Sequence, residues 1–446
     1  MNTKPNIILI SIDALRADHL GCYGYHRATS PYIDALAGEG VLLERFICPA
    51  IPTHPSYTTL YTGQHPITHG IVAHVGKNEL DREAPFLPEL FLQAGYTTCA
   101  VDNLWRGRLW FGRGYEYYID PSIRRPLHLG VTCEELNAVT IPWLRAHAEE
   151  PFFLFMHYWD PHYPFVPPDR FRHLFYEGNP TDPDNHSLDE WWKHPIGAFA
   201  RDTWLRMLTG VVTDVEYVRA QYDGEVRYVD EGIGNLLVAL DKLGLAENTL
   251  VVLTADHGES MGEHGIFFEH HGLYEATVRV PLIVRWPGHL PGGVRLPQMF
   301  EMDDLAPTIL DAVGLLIPRV MEGRSFWKLL TGVGEDNGRE RVISLECSWQ
   351  AKWSLRTDRY KFILAREPDF YGSPPRELYD LVADPGEKHN IAKERPEIAA
   401  KMEVELEGWI ADRLRALGRS EDPLREHGLT VGQVWQSDAL RRDDGM

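Results

Sequence analysis

The sequence predicts an α/β protein with a mainly parallel β-sheet between helices, together with a small C-terminal α+β domain. Apolar runs of strand length alternate with longer amphipathic segments along most of the 446 residues. This alternation is typical of parallel strands connected by helices that cover both faces of a sheet. From about Ile343 the pattern changes to short runs and turns, which indicates a smaller antiparallel unit.

Five apolar runs are the clearest strand candidates. They are NIILISI (6–12), TTCAV (97–101), FFLFMHY (152–158), TLVVLTA (249–255) and PLIVRW (281–286). In an open parallel sheet, ligands bind beyond the carboxyl ends of the strands. Asp13 follows the first run, Asp160 and His162 follow the third, and Asp256 and His257 follow the fourth. We therefore expect these side chains at one edge of the sheet.

The change of pattern also predicts the domain organisation. A large unit that carries the candidate site is expected over residues 1–340, a small C-terminal domain over 341–418, and an extended, exposed tail over 419–446. Residues 167–215 are irregular, aromatic and charged. Because this stretch is too long for an ordinary connection, it is predicted to form a lid.

Composition narrows the classes of partner. A formal net charge of -21 repels polyanions, so nucleic acid and acidic membrane surfaces are not expected partners. No run approaches the roughly 20 apolar residues of a membrane helix, and the N-terminus does not resemble a signal peptide. The five cysteines are scattered, which indicates reduced thiols and a cytoplasmic location. A homo-oligomer is compatible with these features.

The segment ADHGESMGEHG (255–265) predicts a metal site. Asp256 and His257 place a carboxylate oxygen and an imidazole nitrogen together directly after a strand, and Asp13 follows another strand. This donor set suits zinc or manganese better than calcium. The alternative for each aspartate is a structural one, in which it only caps the helix that follows.

The segment PTHPSY (52–57) carries the candidate nucleophile. Pro55 favours the first turn of a helix, which would make His54 the cap and place Thr53 just before it. The start of a helix holds anions through its amide dipoles. A metal-bound hydroxyl at this position would be an activated nucleophile. Alternatively, Thr53 serves only the helix terminus.

Six segments follow one another in a characteristic order. They are the opening NIILISIDALRADHLGCYG, then PTHPSYTTLYTGQHP, PFFLFMHYWDPHYPF, LTADHGESMGEHG, LYEATVRVPLIVRWPG and the late ELYDLVADPGEKHN. Together they resemble the landmarks of the sulfatase family in the alkaline phosphatase superfamily. The resemblance covers nearly the whole chain and implies an alkaline-phosphatase-like core with a small C-terminal domain. It also implies a divalent metal held by Asp13, Thr53, Asp256 and His257, with Thr53 as the nucleophile and His162 facing the leaving group.

The chain departs from this family at several positions. The family nucleophile is a cysteine or serine that is oxidised to formylglycine, and threonine is not, so no formylglycine is expected. Tyr57 replaces an arginine, and Ala14 replaces a second aspartate, which argues against calcium. VDNLWRGRLW, which includes Asn103, replaces a lysine-containing stretch, and His270 replaces another lysine. Cationic side chains that bind the sulfate in this family are therefore replaced at these positions.

These losses favour a small anionic ester of phosphorus, either a phosphodiester or a phosphonate monoester. The remaining candidates are proton donors and substrate-binding side chains: His162 and His270 as donors, and His54, Tyr57, Asn103 and His271 for binding. A second metal would draw on Asp160, His162, His270 and His271. Three other functions stay open, namely a sulfatase without formylglycine, a phosphotransferase, and a non-catalytic protein that binds a metal or an anion.

Overall fold

The computed structural model describes residues 4–74, 76, 78–123, 130–209 and 211–429. Its strands, in chain order, are β1 (Asn6–Ile12), β2 (Val41–Ile47), β3 (Ala50–Ile51), β4 (Thr97–Val101), β5 (Tyr117–Ile119), β6 (Phe152–Tyr158), β7 (Thr249–Thr254), β8 (Ser260–Met261), β9 (Phe267–Glu269), β10 (Arg279–Arg285), β11 (Val294–Glu301), β12 (Arg341–Cys347), β13 (Ala351–Thr357), β14 (Tyr360–Ala365) and β15 (Arg376–Asp380).

The α-helices, in chain order, are α1 (Pro31–Glu39), α2 (Thr53–Thr62), α3 (Pro66–His69), α4 (Leu87–Gln93), α5 (Cys133–Ala146), α6 (Asp169–Arg172), α7 (Asp189–Trp192), α8 (Pro195–Asp202), α9 (Leu205–Leu208), α10 (Val215–Lys242), α11 (Glu275–Val278), α12 (Leu305–Ala312), α13 (Trp327–Leu330), α14 (Pro396–Ala416) and α15 (Pro423–His427). Within the described part of the chain, no helix has both the length and the apolar character needed to cross a bilayer.

The predicted α/β fold with a mainly parallel sheet is confirmed. The large sheet has the strand order β11-β2-β10-β7-β1-β6-β4-β5, and β10 alone runs antiparallel to its two neighbours. Every residue of β1 and β6 is buried, because helices cover both faces of these central strands. In one layer α10 contacts both α1 and α5, and in the other α2 contacts both α4 and α12.

A second sheet contains the C-terminal strands in the order β15-β14-β13-β12-β3. Strands β12 to β15 pair antiparallel, as the sequence predicts for a small α+β domain. Strand β3, however, comes from the N-terminal part of the chain and pairs parallel with β12. The residues just before Thr53 are therefore built into the C-terminal sheet. The proposed boundary at residue 340 stays a prediction.

Two predicted surface segments are more structured than expected. Residues 167–215 contain α6 to α9, and their role as a lid stays a prediction. The prediction of an exposed tail is wrong for 422–429, because α15 packs on β12 and β13 with Leu424 fully buried. The indole N–H of Trp353 also donates to Asp422 at 3.1 Å. Residues 430–446 of the predicted tail lie outside the described residues.

Candidate active site

Neighbouring parallel strands bring the predicted metal ligands together. Strand β1 lies between β7 and β6, so Asp13 after β1 and the Asp256–His257 pair after β7 lie at the same edge. One ligand atom from each of these three side chains lies within 4.8 Å of the others. All three residues are fully buried. The structure thus places these side chains as the sequence predicts, and their metal-binding role stays a prediction.

The hydrogen bonds at this cluster fit a bound cation. Asp13 Oδ1 and Asp256 Oδ2 are buried and have no hydrogen-bond partner in the described structure. His257 Nδ1 donates to the carbonyl of Gly258 at 2.9 Å. The lone pair therefore lies on Nε2, which is 3.2 Å from Asp256 Oδ2 and 3.7 Å from Asp13 Oδ1. A fixed tautomer of this kind is typical of a metal-binding histidine.

The two carboxyl groups titrate differently because they are buried close together. Burial and the negative charge of Asp13 raise the pKa of Asp256 to about 6. Burial also acts to raise the pKa of Asp13, but the imidazoles of His162, His157 and His257 outweigh it and lower that pKa to about 2. A divalent cation favours the ionised form of both groups, so that both carboxylates can be charged at the same pH.

Thr53 lies directly beside the cluster. Its Oγ1 is 3.2 Å from His257 Nε2, and the residue is 4% exposed. Helix α2 begins at Thr53, with Pro52 at the N-cap, so the prediction that His54 is the cap is wrong. Thr53 therefore lies in the first turn, where backbone N–H groups have no carbonyl partner within the helix. Ser56 Oγ donates to the carbonyl of Asp256 at 2.6 Å. This hydrogen bond holds the start of α2 against the loop that carries Asp256 and His257.

A cavity of about 270 Å³ opens on one side of Thr53 and is lined by His162, His270 and His271. The His270 ring stacks on the His257 ring at a centroid distance of 4.7 Å. His162 Nδ1 donates to the carbonyl of Tyr163 at 2.7 Å. Burial lowers the pKa of His162 and lowers that of His270 well below its usual value. Both imidazoles are therefore neutral near pH 7 in the ligand-free protein.

His271 is fixed by the C-terminal sheet. Its Nδ1 lies 3.0 Å from Glu346 Oε1 in β12 and 3.1 Å from Ser348 Oγ. Glu346 also accepts the backbone N–H of Gly272 at 2.8 Å. The loop that presents His270 and His271 to the cavity is thus held by residues about 75 positions later in the chain.

A second cavity, of about 350 Å³, also borders Thr53 and is lined by His54, Asn103 and Arg108. His54 Nδ1 donates to the carbonyl of His74 at 2.6 Å, and the two rings stack. Across the described residues that line the two cavities, Arg108 is the one lysine or arginine. The loss of cationic groups stays a prediction, because residues 75, 77 and 124–129 lie outside the described residues.

Two predicted roles are not supported by the geometry. Tyr57 lines neither cavity. It is fully buried, and its hydroxyl donates to Ser11 at 2.9 Å, because its position in α2 faces the sheet. Asp160 accepts the N–H of Cys133 at the start of α5, at 2.8 Å. It therefore caps a helix, and the second metal site that would use it is not formed in the described structure.

Three buried residues near the site were missed by the sequence analysis. His157 bridges two carboxylates, with Nε2 3.1 Å from Asp13 Oδ2 and Nδ1 2.9 Å from Asp102 Oδ1. These hydrogen bonds outweigh burial and raise the pKa of His157 to about 10. Asp102 directly follows β4, and this position after a strand indicates a residue at the ligand-binding edge, as it does for Asp13 and Asp256. A histidine in the apolar run FFLFMHY was the signal for His157. The third residue, Glu269, lines the 270 Å³ cavity.

Two family profiles match the chain. The profile described as Sulfatase matches residues 5–315, and the one described as N-sulphoglucosamine sulphohydrolase, C-terminal, matches residues 262–412. An arylsulfatase of Clostridium perfringens is 26% identical over 471 residues, which cover 91% of this chain and 95% of that protein. An N-acetylglucosamine-6-O-sulfatase of Bacteroides thetaiotaomicron is 24% identical over 472 residues, which cover 87% of this chain and 82% of that protein.

Solved structures of similar fold include two phosphonate monoester hydrolases. The enzyme of Agrobacterium radiobacter superposes with a TM-score of 0.72 at 22% identity, and the match covers 92% of this chain and 96% of that one. The enzyme from Silicibacter pomeroyi superposes with a TM-score of 0.71 at 24% identity and the same coverage. At this level of identity the likeness concerns the fold.

Proposed function

Because this chain belongs to the sulfatase family, we propose that it cleaves phosphodiester or phosphonate monoester bonds through a covalent intermediate on Thr53. It is a hydrolase that acts on sulfuric or phosphonic ester bonds. The observation that carries the finer proposal is the distance of 3.2 Å between Thr53 Oγ1 and His257 Nε2. The Thr53 hydroxyl therefore lies against the imidazole of the buried Asp-His cluster.

The residues of the cluster suit this role for Thr53. Asp13, Asp256 and His257 would hold a divalent ion such as zinc or manganese, which when bound lowers the pKa of a hydroxyl and polarises a phosphoryl oxygen. The Thr53 oxygen attacks phosphorus, the bond to the leaving oxygen breaks, and water then hydrolyses the threonine ester. Backbone N–H groups in the first turn of α2 stabilise the negative charge on the phosphoryl oxygens.

His162 is the better candidate to protonate the leaving oxygen. Both His162 and His270 line the cavity beside Thr53, but the pKa of His270 is depressed much further by burial. His162 Nδ1–H is used by the carbonyl of Tyr163, so its Nε2 is the atom that would carry the proton. An anionic ester in the cavity would raise the pKa of His162 toward the working range of a general acid.

The nucleophile favours phosphorus over sulfur. The family mechanism expels sulfate by collapse of a hemiacetal on formylglycine, whereas a threonine sulfate would need direct attack by water. A threonine phosphate ester is a common intermediate in the superfamily that the sequence resembles. With Arg108 as the one lysine or arginine among the described lining residues, a singly charged ester is favoured over a dianion. The two cavities that border Thr53 can accept the two substituents of a diester.

We expect metal-loaded protein to hydrolyse a p-nitrophenyl phosphodiester or phenylphosphonate faster than p-nitrophenyl sulfate or phosphate. Thr53→Val keeps the branched shape but removes the hydroxyl, and should lower kcat by about a thousandfold or more. Thr53→Ser is the matched control and should retain turnover. Mass spectrometry after acid quenching should find the phosphoryl group on the peptide that contains Thr53.

Other outcomes would point to other functions. Preference for sulfate would overturn the assignment to phosphorus and support a sulfatase without formylglycine, which the identity to the arylsulfatase favours. Equal activity of wild type and Thr53→Val would exclude Thr53 as the nucleophile. Metal binding without any turnover would support the non-catalytic alternative. The cytoplasmic location and a possible homo-oligomer stay predictions.

A further inference from the structure

The 270 Å³ cavity beside Thr53 has unusually aromatic walls. They include Trp159, Tyr163, Trp191, Trp204, Phe268 and Trp349. Trp191 packs on Phe268 at a ring-centroid distance of 4.9 Å, and Tyr163 faces the His270 ring at 6.3 Å. The volume is near the lower end of the range for small-molecule pockets. The cavity therefore suits a small group that is attracted by aromatic faces.

One carboxyl group lies in this aromatic wall. Glu269 follows Phe268 at the end of β9, is 7% exposed, and lines the cavity. Among the described lining residues it is the only aspartate, glutamate, lysine or arginine. Its Oε2 is 3.6 Å from His271 Nε2. Burial lowers the pKa of that imidazole, so the histidine supplies no positive charge near pH 7.

We propose that this cavity binds a quaternary ammonium group on the leaving alcohol of the substrate, so that the natural ester is one of choline or a closely similar alcohol. Aromatic rings attract such a cation through the negative face of the ring, and one carboxylate adds a direct charge interaction. The inference rests on the proposed function because it takes this cavity to be the leaving-group side of Thr53.

The chemistry of the walls separates this ligand from its competitors. A primary ammonium has three N–H donors that need acceptors, and the wall is mostly aromatic carbon. A sulfated or acidic sugar would bring a negative charge into a cavity whose described residues include no lysine or arginine to pair with it. A neutral alcohol would leave the carboxyl group without a function.

The ionisation of Glu269 is consistent with a cationic ligand. Burial raises the pKa of its carboxyl group to about 8, and the other titratable groups around it are Glu259, His271, Tyr163 and Tyr371. A bound cation favours the ionised carboxylate over the protonated one. Without a cation the cavity can therefore remain near neutral, and the Glu269 carboxyl group loses its proton when the cation binds.

The test compares choline with 3,3-dimethylbutanol, which has the same shape but no charge. Binding of each to the metal-loaded full-length protein is measured by calorimetry and by tryptophan fluorescence. We expect choline to bind about tenfold more tightly or better. Glu269→Gln should reduce this preference to about twofold or less. Glu247→Gln makes the same charge change at an exposed site away from the cavity, and should keep the preference.

Equal binding of the two alcohols by the wild-type protein would overturn the inference, and so would a choline preference that Glu269→Gln leaves unchanged. Turnover separates this outcome from failure of the proposed function. Hydrolysis of p-nitrophenyl esters that depends on Thr53, without any preference for choline, would leave the function standing and remove the cation site. Selective choline binding without hydrolysis of phosphate or phosphonate esters would support the cation site and exclude the proposed function.

Discussion

Asp256 shows at the scale of one residue why a buried carboxylate indicates a ligand. Its Oδ1 accepts the N–H of His257 at 2.9 Å and that of Ala14 at 3.3 Å. Its Oδ2 is buried without a hydrogen-bond partner in the described structure. A buried polar atom that lacks a partner costs about 1–3 kcal/mol, and more if it is charged. This cost is offset if Oδ2 binds a cation.

Asp256→Asn should therefore remove most of the stabilisation that a divalent metal gives. For the wild-type protein, zinc or manganese at one hundred times its Kd should raise the free energy of unfolding by about 2.7 kcal/mol. The variant should show less than half of this effect, measured by thermal unfolding with and without metal. Asp160→Asn is the matched control, because Asp160 is a buried carboxylate that only caps α5. Equal metal responses in Asp256→Asn and the wild type would contradict the ligand assignment.

At the scale of an element, the short helix α3 depends on a neutral histidine. His65 is its N-cap, and Nδ1 accepts the N–H of Ile67 at 3.2 Å. Its Nε2 donates to the carbonyl of Ile343 in β12 at 2.9 Å. Protonation of Nδ1 would break the first of these bonds, and burial lowers the pKa of His65 to about 3. The native protein therefore requires the uncharged imidazole.

This requirement predicts a loss of stability in acid. Between pH 6.5 and about 3 the unfolded state binds a proton at His65 and the native state does not, so stability falls as the pH falls. The slope approaches about 1.4 kcal/mol per pH unit. His65→Asn keeps a cap oxygen but cannot titrate. The stability gap between wild type and variant should thus shrink by about 2 kcal/mol from pH 6.5 to 4.5.

Urea unfolding at a series of pH values measures this change. His186→Asn is the control, since His186 has an exposed side chain and its replacement should leave the pH dependence as it is. A stability gap between wild type and His65→Asn that stays constant over this pH range would contradict a depressed pKa at His65.

At the scale of the whole molecule, buried charges connect the C-terminal sheet to helix α11, which leads directly into β10 of the large sheet. The Lys361 ammonium is fully buried in β14 and lies 2.8 Å from both Glu275 in α11 and Glu387. Arg356 in β13 also binds both carboxylate oxygens of Glu275, at 2.9 and 3.1 Å. Glu275 is only four residues after His271, so these contacts hold the histidine loop against the C-terminal sheet.

Lys361→Met should lower the free energy of unfolding by about 3–5 kcal/mol, because it leaves Glu275 and Glu387 buried with one partner fewer. Urea unfolding followed by fluorescence and by circular dichroism measures the loss. Lys388→Met removes a lysine at an exposed position nearby and should change stability by no more than about 0.5 kcal/mol. A loss below about 1 kcal/mol for Lys361→Met would show that the buried network does not connect the sheets.

The sequence by itself determined the features that depend on local order along the chain. Strands β1, β6 and β7 follow from apolar runs, and Asp13, Asp256 and His257 follow from their positions directly after two of these runs. In a parallel sheet such positions lie at the same edge, and here β1 and β7 are neighbours. The candidate metal cluster could therefore be predicted before any contact between distant segments was known.

Only the tertiary structure decided the features that depend on which distant segments meet. His157 meets Asp102 and Asp13 from neighbouring strands. Glu269 lies in a cavity wall to which Trp191 and Trp204 of the 167–215 segment contribute. The prediction that Tyr57 binds the substrate is not supported by the structure, because spacing along a helix does not show which neighbour each face meets. Burial then shifts the pKa values of these polar groups. Once they are removed from water, their ionisation and hydrogen bonding depend on the few partners that lie next to them in the folded protein.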